Sequence, residues 1–323
     1  METVTAIIPS WNRKEDLALC LRGLQRQDYP ALEIVVVDNG STDGTAEMLR
    51  ALPEIKVIWN DYNLGACRAR NEAVLATQGT FLWFLDSDVE ILDPGLLRRL
   101  VDTFQKAPSP GCLGGEALIE ESRPVGFLCC HITSNGGTSR EWIRKMDDHL
   151  VACDYLPTAN CLIPRALFES LGGFNPVYGY LAEDKELGFR IKKAGYYNWT
   201  AYPLTVWHKE SPVSRIGRFR LYHQNRLRFV LLNFRVREII LLPFFDLLFW
   251  CNPQNWKKVS EGAKHGYVRK DDEEKGSSQG KGLQLVWTMA YSFFYAYIWN
   301  LMHLRETWRI RKAPRIFLKR NQK

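Results

Sequence analysis

The 323-residue sequence predicts an α/β fold, a mostly parallel central sheet covered by helices, followed by a basic, apolar helical extension. Three observations predict it. Apolar runs without polar alternation recur through the first 107 residues, segments with helical spacing separate them, and the character of the chain changes after His208. Uninterrupted apolar strands between helices belong to sheets buried on both faces. With 46% hydrophobic and 24% charged residues, the composition excludes disordered, collagen-like and multi-span transporter classes. A chain of this length can fill the core of one large domain or two smaller ones.

Thr5-Ala6-Ile7-Ile8-Pro9 is the first strand, and Lys14 to Gln27 follows as a helix with Leu17, Leu21 and Leu24 on one face. Glu33 to Val37 is a β-branched second strand that runs into the turn signal Asp38-Asn39-Gly40. Ile55 to Trp59 gives a third strand, Ala66 to Thr77 a helix, and Phe81 to Leu85 a fourth strand. Residues 108 to 150 carry Gly and Pro clusters with mixed charge and read as irregular strand and loop. Arg165 to Leu171 and Glu183 to Ala194 are helical, the second stopped by Gly195, and Trp199 to Trp207 is the last strand. These elements place one domain over residues 1–208 and a second region over 209–323.

Ligands of parallel sheets bind beyond the carboxyl ends of the strands. That rule selects Pro9-Ser10-Trp11-Asn12, the segment Asp38 to Gly44, and Asp86-Ser87-Asp88 as one rim. Extended backbone points Asp86 and Asp88 to the same side, which suits a hard divalent cation, Mg²⁺ or Mn²⁺. Solvated turns and helix caps use such acidic pairs as well. Glu183 and Asp184 open a helix, where the dipole favours the ionised form; plain first-turn chemistry is the alternative.

The second region differs in charge. Residues 1–208 hold 20 Lys and Arg against 27 Asp and Glu, whereas residues 209–323 hold 23 against 9. Such a basic segment calls for an anionic partner or surface. Ile239 to Cys251 is apolar but too short to span a bilayer and contains Pro243 and Asp246. Leu283 to Met302 has no formal charge, and seven of its twenty residues are Trp, Tyr or Phe. Its length permits a span, yet the aromatic excess and the basic flanks Lys281, Arg305, Arg309, Arg311 and Lys312 favour an interfacial helix. A core or dimer helix is the third reading. The polar segment Lys270 to Ser278 between them reads as a solvated loop.

Eight scattered cysteines with no C-x-x-C spacing read as reduced thiols. The amino terminus lacks the basic, apolar and small-residue succession of a secretory signal, so a cytoplasmic location is expected.

Taken in order, Asp38 to Thr45, Asn63-Leu64-Gly65-Ala66-Cys67-Arg68-Ala69-Arg70-Asn71, Asp86-Ser87-Asp88, Leu171-Gly172-Gly173-Phe174-Asn175, Glu183-Asp184-Lys185-Glu186-Leu187 and Ala194-Gly195-Tyr196 resemble glycosyltransferase family 2. The resemblance covers roughly residues 3 to 208. It implies the GT-A fold of inverting nucleotide-sugar transferases. It also implies a donor site of Pro9, Trp11, Asn12, Asp38, Asn63, Arg68, Arg70 and Asp86, with Trp11 on the base, Asp38 at base or ribose, and the two arginines at the diphosphate. Asp88 is implied as principal metal ligand, with Asp86 at metal or ribose and His208 as a third ligand. Asp184 is implied as the base that takes the acceptor's proton, with Glu183 in support.

Arg218 to Phe229 interleaves basic and aromatic residues, as nucleic-acid binders do. It also resembles the Tyr-His…Asn-Arg segment of non-processive, rhamnosyltransferase-like members, so no nucleic-acid partner is expected. Gln224 is followed three residues later by Leu227 and not by the Arg-Trp of processive synthases. The expected partners are a nucleotide-diphosphate sugar, a lipid-linked or other glycan acceptor, and the inner face of the cell membrane, where the chain would be peripheral. Two alternatives are a sugar-phosphate nucleotidyltransferase, which would need a Gly-rich basic loop where Pro9-Ser10-Trp11-Asn12-Arg13 stands, and a non-catalytic nucleotide-sugar-binding scaffold.

Overall fold

The computed structural model describes residues 1–115, 117–118, 127–143, 150–209, 216–251 and 278–318. The chain divides into two compact units, one of residues 1–132, 139–210 and 315–323, the other of residues 133–138 and 211–314. The division is therefore not a single cut after His208. Residues 270–277 of the polar segment lie outside the described residues.

An eight-stranded sheet centres the first unit. Its strands are β1 Val4–Ser10, β2 Leu32–Asp38, β3 Lys56–Trp59, β4 Phe81–Leu85, β6 Pro110–Gly114, β10 Leu150–Cys153, β11 Asn160–Pro164 and β12 Tyr197–Ala201. The order is β10-β12-β6-β11-β4-β1-β2-β3. β1 pairs in parallel with both β2 and β4, so the chain reverses its direction of travel across the sheet at β1. A crevice opens at such a switch point. β11 runs antiparallel between β4 and β6, which leaves the sheet mostly parallel.

The long apolar runs in β1, β2 and β4 follow from burial of both faces. Ala6, Ile8, Val36 and Trp83 join one cluster, while Ile7, Val35, Val37, Leu82 and Phe84 join the other. The alternation is the period-two geometry of a strand. Helices α1 Lys14–Gln25 and α4 Leu96–Lys106 cover the first face. Helices α3 Ala66–Leu75, α5 Arg165–Ser170 and α6 Glu183–Lys193 cover the second. Helix α2, Thr45–Arg50, connects β2 to β3.

Several expectations need correction. The last strand is two, β12 and β13 Val206–His208, with Tyr202-Pro203 in the turn between them. The irregular region holds β6, β7 Ala117–Leu118, β8 Phe127–Ile132, β9 Thr138–Ile143 and β10. Residues 119–126 and 144–149 of that region are outside the described residues. After the second unit, the chain returns to the first: the amides of Phe317 and Leu318 both donate to the Gly172 carbonyl, at 2.8 and 3.1 Å. Gly172 has φ +87°, and a Cβ there would lie 1.6 Å from the Arg315 carbonyl oxygen.

The second unit contains helices α7 Ile216–Asn233, α8 Val236–Cys251, α9 Ser278–Met302 and α10 Leu304–Lys312. Leu283 to Met302 thus lies in α9 and Ile239 to Cys251 in α8. Among the described residues, no helix is long and apolar enough to cross a membrane.

Candidate active site

The switch-point crevice gathers the three predicted strand ends. Beyond β1, Asn12 takes φ 52°, a left-handed conformation in which its amide N–H donates to Ser41 Oγ (3.0 Å) while its Oδ1 accepts from the Thr42 amide (2.7 Å). Asparagine tolerates that region better than most residues. Asp38, at the end of β2, is buried and accepts from the Ser41 amide (3.2 Å). Asp43 caps two helices at once, accepting the Lys14 amide of α1 (2.9 Å) and the Thr45 amide of α2 (3.1 Å). Trp11 projects from this rim, about half exposed. Pro9 pairs with Val37 inside the sheet, so it shapes the strand end that carries Trp11.

Asp86 and Asp88 stand in the turn between β4 and β5 Val89–Glu90. Antiparallel pairing of β13 with β5 sets His208 opposite Val89, and the Lys209 amide donates to the Asp88 carbonyl (2.9 Å). That register brings a residue 120 positions away onto the acidic pair. His208 Nε2 lies 3.2 Å from Asp88 Oδ1 and 3.6 Å from Asp86 Oδ2. Potential ligand atoms of Asp86, Asp88 and His208 all fall within 4.8 Å of one another. Two carboxylates and an imidazole form a donor set that fits Mn²⁺ or Mg²⁺. Burial works against the charged imidazole, but bonds to both carboxylates outweigh it and raise His208 to about 10. Burial likewise pushes the Asp86 carboxyl up, and His208 and Arg70 together reverse this, holding it below its usual value.

Glu183 and Asp184 open α6. The approach is strained, with Leu181 at φ 68° and Ala182 at φ 77°, conformations that cost non-glycine residues on the order of 1 kcal/mol each. Glu183 is buried, and burial followed by the neighbouring Asp184 raises it to about 7 against the pull of Arg70. Asp184 is half-buried, raised by burial, and its Oδ1 accepts the Lys185 amide (2.6 Å).

Arg70 departs from expectation. The side chain is buried, with Nη2 2.6 Å from Asp86 Oδ1, Nη1 3.5 Å from Glu183 Oε1, and the guanidinium 5.4 Å above the Phe174 ring. It ties the DxD turn to α6 and has no surface left for a diphosphate. Two positions away on the same helix, Arg68 is exposed. Asn63 is exposed and accepts the Gly65 amide (2.9 Å), which shapes the entry to α3.

Two contributors escaped the sequence reading. Arg13 lies 3.3 Å from Asp88 Oδ2 and 2.8 Å from Asp16 Oδ2, a basic group beside the DxD turn. Asn71 exchanges two hydrogen bonds with the Phe174 backbone, at 2.8 and 2.9 Å. Asn71 thereby seats the aromatic ring over which Arg70 lies.

Residues 5–124 match the family model described as Glycosyl transferase family 2. The glycosyltransferase AglE of Haloferax volcanii is 28% identical over 224 residues, 66% of this chain and 69% of that protein. The GalNAc(5)-diNAcBac-PP-undecaprenol beta-1,3-glucosyltransferase of Campylobacter jejuni is 33% identical over 150 residues, 45% of this chain and 43% of that protein. The chain thus spans about two thirds of the first relative and less than half of the second. In structure it resembles the mannosyltransferase PcManGT from Pyrobaculum calidifontis in complex with GDP-Man and Mn²⁺. The TM-score is 0.59 at 19% identity, over 93% of this chain and 87% of that one. At that identity the likeness concerns the fold, which is GT-A.

Proposed function

Since residues 5–124 match the family model Glycosyl transferase family 2 and the first unit has the GT-A fold, we propose that the chain is an inverting glycosyltransferase of that family. It moves a single sugar from a nucleotide-diphosphate sugar to a hydroxyl group on a membrane-held, lipid-linked glycan. One observation carries the reading. The Asp86-Ser87-Asp88 turn, which His208 joins, and the Glu183–Asp184 pair, nearly a hundred residues on from that turn, meet through one buried arginine, Arg70.

Asp86, Asp88 and His208 would hold Mg²⁺ or Mn²⁺, which when bound supplies positive charge for the departing diphosphate. Asp184 takes the proton of the acceptor hydroxyl as its oxygen bonds to the anomeric carbon and the bond from that carbon to the phosphate oxygen breaks. Both changes at one carbon, on opposite faces, invert its configuration. Glu183 acts through Arg70, fixing α6 relative to the DxD turn. Exposed Trp11 offers a flat face to a nucleobase, with Asp38 behind it, and exposed Arg68 and the neighbouring Arg13 are the basic groups proposed to meet phosphate.

The named undecaprenol-linked acceptor of the Campylobacter relative supports a lipid-linked acceptor here. The basic second region supports residence at the inner membrane face. A panel of nucleotide sugars, screened for thermal stabilisation with Mn²⁺ and with chelator, tests the donor side. One member should raise the melting temperature only with metal; no stabilisation by any nucleotide sugar would overturn the reading.

A further inference from the structure

The interior of the second unit mixes buried apolar side chains, among them Leu227, Phe229, Val230 and Ala296, with buried polar ones, among them Arg226, Asp246 and Asn300. Asp246, 2% exposed, receives a two-pronged pair from Arg226 (2.7 and 2.9 Å), the Asn135 amide (3.0 Å) and the Tyr297 hydroxyl (2.5 Å).

Two of its helices carry exposed apolar stripes. On α8, Ile240 (71% exposed), Leu241, Phe244, Leu247 and Leu248 face outward. At 100° per residue these positions fall within a stripe about 120° wide, opposite buried Leu242 and Asp246. On α9, Trp287 (69% exposed), Tyr291, Phe294 (65% exposed), Ile298 and Leu301 recur at intervals of three and four, while Ser292, Ala296 and Asn300 (3% exposed) line the inward face. A water-soluble helix orients these residue types the other way round.

Together the two stripes expose on the order of 1,000 Å² of apolar surface, against the few hundred usual for a monomer. The surroundings are basic, with Arg235, Arg237, Arg305, Arg309 and Lys312 exposed on the same unit. A polar cluster around Asp246 inside, large apolar side chains outside and exposed cations on the same unit are the arrangement of helices lying in a lipid interface. Among the described residues, neither helix is long and apolar enough to cross a bilayer.

We propose that α8 and α9 each lay their apolar stripe into the hydrocarbon of one bilayer leaflet. This deepens the membrane residence proposed above: the apolar stripes, and not the charge alone, hold the chain. The glycosyl-transfer reading is independent of it, because the test uses no donor and no acceptor.

The test is flotation of the full chain with neutral phosphatidylcholine vesicles and with vesicles containing an anionic lipid, each at low salt and in 1 M NaCl. Binding to both should survive high salt, anionic lipid adding affinity at low salt only. The exposed substitutions Phe244→Glu and Phe294→Glu should each lower vesicle partitioning at least tenfold without lowering the melting temperature. As a second readout, brominated acyl chains should quench the chain's tryptophan fluorescence, less so in Trp287→Phe. Binding confined to anionic vesicles at low salt would overturn the proposal. So would vesicle-free protein that sediments as a dimer and becomes monomeric in Phe294→Glu, which would give the stripes to a second copy.

Discussion

Arg70 Nη2 sits 2.6 Å from Asp86 Oδ1, inside the protein and directly beneath the DxD turn. The same guanidinium reaches Glu183 at 3.5 Å, so one side chain on α3 couples the proposed metal turn to the proposed catalytic helix. It is paired on both sides, and the pairing is what makes its burial tolerable.

Replacing Arg70 with Met roughly keeps the volume but takes the cation from buried Glu183 and leaves Asp86 only His208. Removing one partner of a buried ion pair costs about 3–5 kcal/mol. Chemical denaturation of Arg70→Met should show a loss of that size. Arg70→Lys, which keeps the charge but not the two-sided reach, should recover only part of it. A loss under about 1 kcal/mol in Arg70→Met would show that Glu183 and Asp86 do not depend on Arg70.

His208 supplies a pH signature. Its pKa in the metal-free fold is raised from 6.5 to about 10. Such a group contributes stability that is complete below about 6.5 and is lost as pH rises toward 10. In chelator, the wild type should therefore lose stability across that window relative to His208→Gln. Because an imidazole must shed its proton to ligate a metal, Mn²⁺ affinity by calorimetry should climb with pH over the same range. Matching slopes for wild type and variant, or pH-independent Mn²⁺ binding, would remove His208 from the cluster.

Asn71 holds the Phe174 backbone through two hydrogen bonds, both buried. Asn71→Ala leaves an N–H and a C=O without partners, at about 3 kcal/mol by equilibrium unfolding. Full stability in that variant would mean the Phe174 segment is held by its ring packing against Phe84 and Phe168 alone.

The parallel half of the fold was legible because double-sided burial leaves a plain mark. Ile7, Val36 and Phe84 lie in apolar runs that no half-exposed strand would carry. The strand ends followed from that, and with them Asp38, Asp86 and Asp88. The antiparallel half was not legible: in β6, Pro110–Gly114, Pro and Gly break the period, and β10, Leu150–Cys153, is only four residues long. Arg70 was misjudged because helical spacing separates faces without saying which is inward. The placement of Arg70 depends on Glu183, 113 residues away. In α9 the uncharged stretch Leu283 to Met302 hides its orientation, since Ser292 and Asn300 mark an inward side only once α7 packs against the helix.

Gly172 fastens the end of the chain to the first unit. Gly172→Ala adds a methyl 1.6 Å from the Arg315 carbonyl at φ +87°. The segment 315–318 must then leave, exposing the buried Glu186–Arg190 pair that Arg315 and Phe317 adjoin. Hydrogen exchange should show loss of protection at the Phe317 and Leu318 amides in the variant. Unchanged protection there would mean the segment is anchored by other contacts.

The central claim is that Asp184 accepts the acceptor's proton while the DxD cluster holds the donor. Asp184→Asn keeps the shape and the bond from the Lys185 amide but removes the basic oxygen. With a donor identified by the stabilisation screen, the decisive measurement is its Kd by calorimetry beside the single-turnover transfer rate, for wild type and for Asp184→Asn. The account predicts donor Kd within about threefold of wild type and transfer slowed by roughly 10²- to 10⁴-fold. Transfer at the wild-type rate would contradict it and shift the proton to another group; a matching collapse of donor binding would place Asp184 in the donor site instead.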